Sequence, residues 1–388
     1  MRAAARDRDY DAVASAIEDA VGSGREVGLQ VAVVSGDEVL FEMAAGVADK
    51  DTGRPVDAST LFPVFSATKG ITATAVHIQA ERGLLEYDAA IARYWPEFAA
   101  AGKGAATVRH ALLHQVGIPH MPDGCTVERM CDWNWMTREL AAQAPLWPPG
   151  TRSGYHAYTF GWILGDLVRR TDPGLRPFGQ FVHEEIAGPL DATDLWLGIP
   201  DAVEPRIARL EEGRVPVELP DDSLARRAMP QHLFTNQEVF GRPDVRRSCH
   251  PGAGGVCDAL SLARMYALIA SGGAARGRRL LSEDRVVNMA AIKLDDEDVV
   301  LGRRVTRGLG YWVAGGPDSV STAPMGMDPA SVGHPGAGGS VAWADRRRRV
   351  GVAILKNHML SPPTPRDNPL TAIGDAIRAA LDAPERRG

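Results

Sequence analysis

The chain has 388 residues, 45% hydrophobic and 24% charged, with a formal net charge of −6. Those values fit a globular protein large enough to bury a core without staples, and they exclude a disordered chain or a disulfide framework. No basic footprint for nucleic acid emerges, and the arginine run at 346–349, flanked by apolar segments, reads as a solvated turn.

The first residues alternate charge with small side chains and lack the apolar stretch of a secretory signal. No segment approaches 18 apolar residues, so a cytoplasmic protein that does not span a membrane is expected. Cys125, Cys131, Cys249 and Cys257 fit reduced thiols. Cys125 and Cys131 lie near His114 and His120 in sequence, which raises a zinc site. The spacing matches no tight zinc pattern, and no metal or cofactor is expected.

Residues 8–22 place Tyr10, Val13, Ile17 and Val21 at helical spacing and stop at Gly22-Ser23-Gly24. Residues 27–34, the turn Ser35-Gly36-Asp37 and the segment VLFEMAAGVA predict a β-hairpin. Residues 61–65 lead into Ser66-Ala67-Thr68-Lys69-Gly70. The spacing from Ile71 to Leu85 predicts a helix, with Ser66 at or just inside its N-terminus. Residues 86–250 read as mostly helical, most clearly in RHALLHQ, MTRELAAQ, FGWILGDLVRR and FGQFVHEEI. The stretch 210–247 reads as irregular, and whether it covers a cleft stays open. A further helix is predicted at 258–271, with Asp258 or Ser261 as N-cap and Gly272-Gly273 as stop. Strands return in YWVAG, SVAWAD and VGVAILKN, and 370–382 predict a closing helix. Strands at both ends of a helical middle predict one mixed sheet built from both chain ends, an α/β plus all-α arrangement.

Chemistry first appears at Ser66-x-x-Lys69. On a helix, positions i and i+3 share a face, so the amine reaches the hydroxyl. A serine hydroxyl needs a neighbouring base, and a lysine serves only when desolvation or nearby positive charge lowers its pKa. Alone this spacing is weak, but its context is not. LFPVFSATKGITATAVHIQAERGLL is followed by TVRHALLHQVGIP, PPGTRSGYHAYTFGWILGDLVRRTD and IAGPLDATDLWLGIP. GAGGVCDALSLARMYALIASGG, GLGYWV and GHPGAGGSVAWADRRRRVGVAILKN come next. In this order the segments resemble the serine β-lactamase-like superfamily, over about residues 10–380. The branch they resemble is the class C β-lactamase-related one, with its esterases, acyltransferases and D-amino-acid peptidases.

The resemblance implies a β-lactamase/penicillin-binding-protein-like fold, a mainly antiparallel mixed sheet flanked by helices with a helical insertion. Residues 1–65 and 250–388 would form the α/β part, and 66–249 the helical part carrying the nucleophile helix and one wall of the cleft. It implies Ser66 as the acylated nucleophile, Lys69 as its proton acceptor and Tyr155, the retained tyrosine of a Tyr-x-Asn motif, as general base in concert with Lys69. A tyrosine fills that role only if cations beside it favour phenolate. The third motif reads His334-Pro335-Gly336, with His334 facing the Tyr155–Lys69 side. The backbone N–H groups of Ser66 and Ala337 would form the oxyanion hole, with Gly338 and Gly339 allowing a tight turn.

Two departures bear on substrate. Ala157 stands where the lactamases carry asparagine, and His334-Pro335 replaces a lysine and a threonine that help grip a carboxylate. Esters or thioesters are therefore expected rather than efficient β-lactam hydrolysis. Met121, Met130, Trp133, Trp135 and Met136 either line an apolar acyl pocket or pack in the helical core, and His156 and Gly336 are further substrate-binding candidates. His110 and His114 read as structural, Asp88 as a cap, and Gly252–Gly255 as no phosphate loop. The expected partner is a small acyl substrate. Three alternatives remain: an acyltransferase passing the acyl group to an alcohol or amine, a non-catalytic binding protein on the same scaffold, and a zinc hydrolase.

Overall fold

Strand Gly28–Ser35 is apolar at nearly every position because both of its faces are covered. Val31 and Val33 point into one core, while Ala32 and Val34 point into the other, as the two-residue period of a strand requires. This is seen in a computed structural model. The structure describes residues 9–213, 222–316, 320–360 and 366–384, residues 220 and 364, and the backbone of 2–4. Part of the 210–247 stretch (214–219 and 221) lies outside the described residues.

In chain order the elements that matter are β1 (Arg2–Ala4), α1 (Asp11–Gly22), β2 (Gly28–Ser35), β3 (Glu38–Asp49), β4 (Phe62–Phe65) and α2 (Thr68–Glu81). The helical middle contributes α3 (Trp133–Ala142) and α4 (Thr159–Thr171). Then follow β5 (Leu195–Leu197), β6 (Gly255–Cys257), α5 (Ala259–Ala270), β7 (Leu294–Asp298), β8 (Arg303–Arg307), β9 (Trp312–Val313), β10 (Ser331–Pro335), β11 (Val341–Asp345), β12 (Val350–Lys356) and α6 (Pro369–Asp382). The main sheet runs β1-β3-β2-β12-β11-β10-β9-β8-β7. Every neighbouring pair in it is antiparallel. The two ends of the chain meet at its centre, where Ala32 opposes Ala353. This is the mainly antiparallel β-lactamase-type sheet with flanking helices that was expected.

One face carries α1 and α6, whose Ile17, Ile373 and Ile377 pack with Tyr10, Phe41 and Val352. The other carries α5 and, beyond it, α2 and the helical region. Helix α5 begins at Asp258, whose Oδ1 accepts from Ser261 N–H at 2.6 Å, so Asp258 and not Ser261 is the cap. The segment at 61–65 pairs away from the main sheet: β4 joins β6 and β5 in a separate three-stranded sheet. The stretch 210–247 is less irregular than its composition reads. It contains short helices at Leu224–Ala228, Gln237–Phe240 and Pro243–Arg247, the first two capped by Ser223 and Asn236.

Helix α2 is the pivot between the two regions. Thr68 to Ala80 are all buried, although the segment holds four threonine, histidine or glutamine side chains besides Thr68. These find partners inside the protein. Thr72 Oγ1 donates to Pro251 O at 2.6 Å, and the two ring nitrogens of His77 meet Tyr87 Oη at 2.7 Å and Leu309 O at 3.0 Å. Each such group left unmatched would cost about 1–3 kcal/mol. Polar residues on a fully buried helix thus hold it in one register against its neighbours.

Candidate active site

Ser66 sits one turn ahead of α2, at a sharp change of direction. Phe65 takes φ +47°, a left-handed conformation unusual for a bulky residue, and its buried ring packs edge-on against Phe240 at 5.4 Å. The strain turns the chain from β4 into the helix and leaves Ser66 half-buried. Lys69 N–H donates to Ser66 O at 3.0 Å, closing the first turn.

Lys69 is fully buried, yet its Nζ has three partners. It donates to Ala157 O at 2.6 Å and to Gly252 O at 2.8 Å, and lies 2.9 Å from Ser66 Oγ. Burial holds its pKa well below the ordinary lysine value, and the nearby Arg307 lowers it further. A neutral amine has two N–H bonds and one lone pair. In the neutral form that burial favours, the two carbonyls take the two N–H bonds and the lone pair faces the Ser66 hydroxyl.

Tyr155 is buried and its hydroxyl bonds Ser66. Burial raises its pKa, against the opposing effects of the Ser66 hydrogen bond and of Arg307. Burial thus favours the protonated phenol, against the phenolate that the sequence made conditional on nearby cations. One cation facing it is the Arg307 guanidinium, 5.7 Å from the ring centre. Lys69 Nζ lies 4.9 Å from the same ring, but as a group whose charged form burial disfavours.

His334 stacks near Tyr155, with ring centres 6.3 Å apart. Its Nδ1 is 2.7 Å from Pro335 O, which can only accept, so Nδ1 carries the proton. Its Nε2 is buried and has no partner among the described residues. Burial, reinforced by Lys69, keeps the ring well below pKa 6.5 and neutral. Gly336 follows, and a Cβ there would lie 2.3 Å from Val64 O, so only glycine lets this loop close onto the end of β4. Gly338 and Gly339 take φ +81° and +116°, and half-buried Ala337 is carried on that turn.

Several expectations end elsewhere. His156 is buried. Its Nδ1 meets Gly154 O at 2.6 Å and its Nε2 accepts from Ile118 N–H at 3.2 Å, so both ring nitrogens serve the loop. Trp133 donates to Asp166 Oδ1 at 2.9 Å and stacks on Phe178, which binds it to α4 rather than to the serine. Trp135 lies under the Arg129 guanidinium. Met130 and Met136 are core residues. A cavity of about 510 Å³ does lie beside residues 120–126 and 226–233, and Met121 is the one of the five that lines it. Cys125 Sγ lies 3.8 Å from Met136 Sδ, whereas Cys131 Sγ lies 3.9 Å from His250 Nε2. The described residues contain no group of three His, Cys, Asp or Glu side chains placed to hold a metal. None of their helices is long and apolar enough to cross a membrane.

Three features were missed from the sequence. Gly252, read only as part of a glycine-rich loop, supplies a carbonyl to Lys69. Asp298 and Arg307 form a buried pair, 2.7 Å apart, behind Tyr155. The available signal was a lone charge inside the apolar run VTRGLGYWV.

The profile of the Beta-lactamase family matches residues 13–376. The chain belongs to the Beta-lactamase family. It is 34% identical over 376 residues to the esterase/beta-lactamase LipL of Mycobacterium tuberculosis, covering 92% of this chain and 83% of that protein. A family VIII carboxylesterase structure superposes with a TM-score of 0.88 at 30% identity, covering 98% of this chain and 100% of the other. A penicillin-binding protein homologue from Caulobacter crescentus superposes at 0.86 with 33% identity, covering 96% and 97%. This member of the Beta-lactamase family thus has, in Ser66, Lys69 and Tyr155, a connected hydroxyl, amine and phenol.

Proposed function

We propose that the protein hydrolyses carboxylic esters or thioesters through an acyl-enzyme on Ser66. The observation that carries this reading is the Lys69 amine, buried and bonded to two carbonyls, with its third position 2.9 Å from Ser66 Oγ. The esterase names of the relatives support the same reading. Ser66 Oγ attacks the acyl carbon as its proton passes to Lys69. The oxyanion rests on the N–H groups of Ser66 and Ala337. The carbon–oxygen or carbon–sulfur bond breaks, and Tyr155 O–H, recharged from Lys69, protonates the departing alkoxide or thiolate. Water then gives its proton to the same pair and its oxygen to the acyl carbon, freeing the acid and Ser66.

The experiment is stopped-flow mixing with p-nitrophenyl butyrate. A burst of nitrophenol that is present in the protein and absent in Ser66→Ala supports the acyl-enzyme. No burst and no turnover with either ester or thioester would refute it. Added alcohols that accelerate the slow phase, with new ester as product, would move the reading to acyl transfer.

A further inference from the structure

We infer that Arg307 is a positioning residue for this site: clamped by Asp298 and Ser153, it supplies the fixed positive charge that keeps Lys69 in its proton-accepting form and aims Tyr155 at Ser66. The inference rests on the reading of Ser66 and Lys69 given above.

Arg307 closes strand β8 and is 1% exposed. Its Nη2 donates to Asp298 Oδ2 at 2.7 Å and its Nη1 to Ser153 Oγ at 2.8 Å. Its guanidinium then stands beside two rings, 5.7 Å from the centre of Tyr155 and 5.4 Å from that of Trp312. Asp298 is fully buried, and its other oxygen accepts from the N–H groups of Tyr155 at 2.9 Å, Val300 at 3.0 Å and Leu301 at 2.9 Å. One carboxylate therefore holds both the backbone of Tyr155 and the cation over its ring. Ser153, two residues before Tyr155, takes the remaining arm.

A pair serving stability alone would be expected to satisfy itself. This one does not: Arg307 Nε is buried with no partner among the described residues. A buried ion pair is often no more stable than an apolar replacement, so its presence against a reacting group calls for another role.

The charges around Lys69 can be enumerated. Ser66 lies just ahead of its helix, His114, Tyr155 and His156 come from later loops, and His334 from β10. Burial holds all three histidines neutral. Asp298 from β7, and Arg303 and Arg307 from β8, remain charged, a net of one positive charge. Arg303 lies 5.6 Å from the Trp312 ring and acts on Tyr155 but not on Lys69. Arg307 is the cation that acts on Lys69, His114 and Tyr155 alike.

Two variants test this with opposite expected signs. Asp298→Asn keeps the oxygen that receives three N–H groups and removes a negative charge, so Lys69 should deprotonate more easily. The acid limb of kcat/KM for p-nitrophenyl butyrate should move to lower pH. The double variant Asp298→Asn/Arg307→Gln keeps a neutral hydrogen-bonding pair and removes the cation. Relative to Asp298→Asn, its acid limb should move up by about one pH unit, roughly a tenfold loss on the limb, with the high-pH plateau recovered within about threefold. Arg307→Lys, which keeps the charge, should hold the limb in place. The burst amplitude in each variant counts competent sites and separates folding losses from the shift. Folded variants with full bursts and unmoved limbs would overturn the inference, as would an Arg307→Lys limb shifted as far as that of the double variant. Should the double variant fail to fold, the downward shift in Asp298→Asn decides. A wild-type protein without a burst would instead overturn the acyl-enzyme reading itself.

Discussion

Lys356 and Glu26 meet in the interior behind the turn that carries Ala337, and replacing either should reverse the pH dependence of stability relative to replacing the other. Both side chains are almost wholly buried, with Nζ 2.5 Å from Oε1. Lys356 also exchanges backbone contacts with Ser340, and its Nζ approaches Gly339. Burial raises the Glu26 carboxyl from 4.5 to about 7, against the pull of Lys356, and lowers Lys356 below its ordinary value. In Lys356→Met the carboxyl loses its cation, so its folded pKa stays at or above about 7 while the unfolded value is 4.5. The folded state then holds the extra proton between those values. Stability is highest below 4.5 and falls by up to about 1.4 kcal/mol per pH unit until the folded pKa is passed. In Glu26→Gln the lysine is the unpaired group, with a folded pKa below its unfolded one. The unfolded state binds the extra proton, so stability rises with pH from the lowered folded pKa towards the ordinary lysine value of 10.5. At neutral pH each single variant should lose about 3–5 kcal/mol, whereas Glu26→Gln/Lys356→Met should lie near the parent. Urea unfolding at pH 5.5, 7 and 8.5 measures all three. Slopes of the same sign in the two single variants, or a double variant as unstable as either, would refute the reasoning.

Lys69→Met should reduce kcat/KM for p-nitrophenyl butyrate by about 10³-fold, the usual range for a lost general base, and leave two buried carbonyls without a donor. His334→Gln should lower activity without moving the acid limb, because the ring is neutral throughout the working range; a pH–rate profile checks this. Gly336→Ala forces a methyl within 2.3 Å of Val64 O, so the oxyanion turn should shift; we expect kcat to fall more than KM rises and stability to drop by about 1–3 kcal/mol in thermal unfolding. Nitrocefin, run beside the ester, should turn over with a kcat/KM at least about 10³-fold lower, a gap of roughly 4 kcal/mol in transition-state stabilisation.

The part of the site that local spacing can encode was legible. Ser66 and Lys69 are three residues apart, and a helix brings them together whatever the rest of the chain does. Tyr155 was legible only through resemblance, because a lone tyrosine carries no local signature of its partner. Asp298 was not legible at all: it reaches the backbone of Tyr155 across 143 residues of sequence, through a strand pairing that no periodicity announces. The same limit explains Trp133 and Met136. Composition marked them as apolar, but only packing decides whether an apolar side chain faces a cleft or the neighbouring helix. The apolar strand at 28–35 was readable because its period is local, while the detour of 62–65 into a separate sheet depends on the distant Gly255–Cys257. The cap at Asp258 needed geometry to choose between two residues that both suit the role.

The two departures from the lactamase pattern act on different functions. At position 157 the side chain changed, but the contact with Lys69 runs through the backbone carbonyl. Alanine therefore leaves the contact with Lys69 intact and carries no side-chain amide to offer a substrate. At position 334 the change reverses a polarity. Pro335 O fixes the proton on Nδ1, so the histidine presents a bare Nε2 where a lysine would present a cation. The fixed positive charge of Arg307 sits behind Tyr155, engaged by Asp298 and Ser153. A substrate carboxylate at His334 would meet an acceptor and lose hydration without a counter-charge, whereas a neutral ester would meet no such cost. On the proposed ester-hydrolase reading, the bare Nε2 of His334 should therefore disfavour anionic substrates.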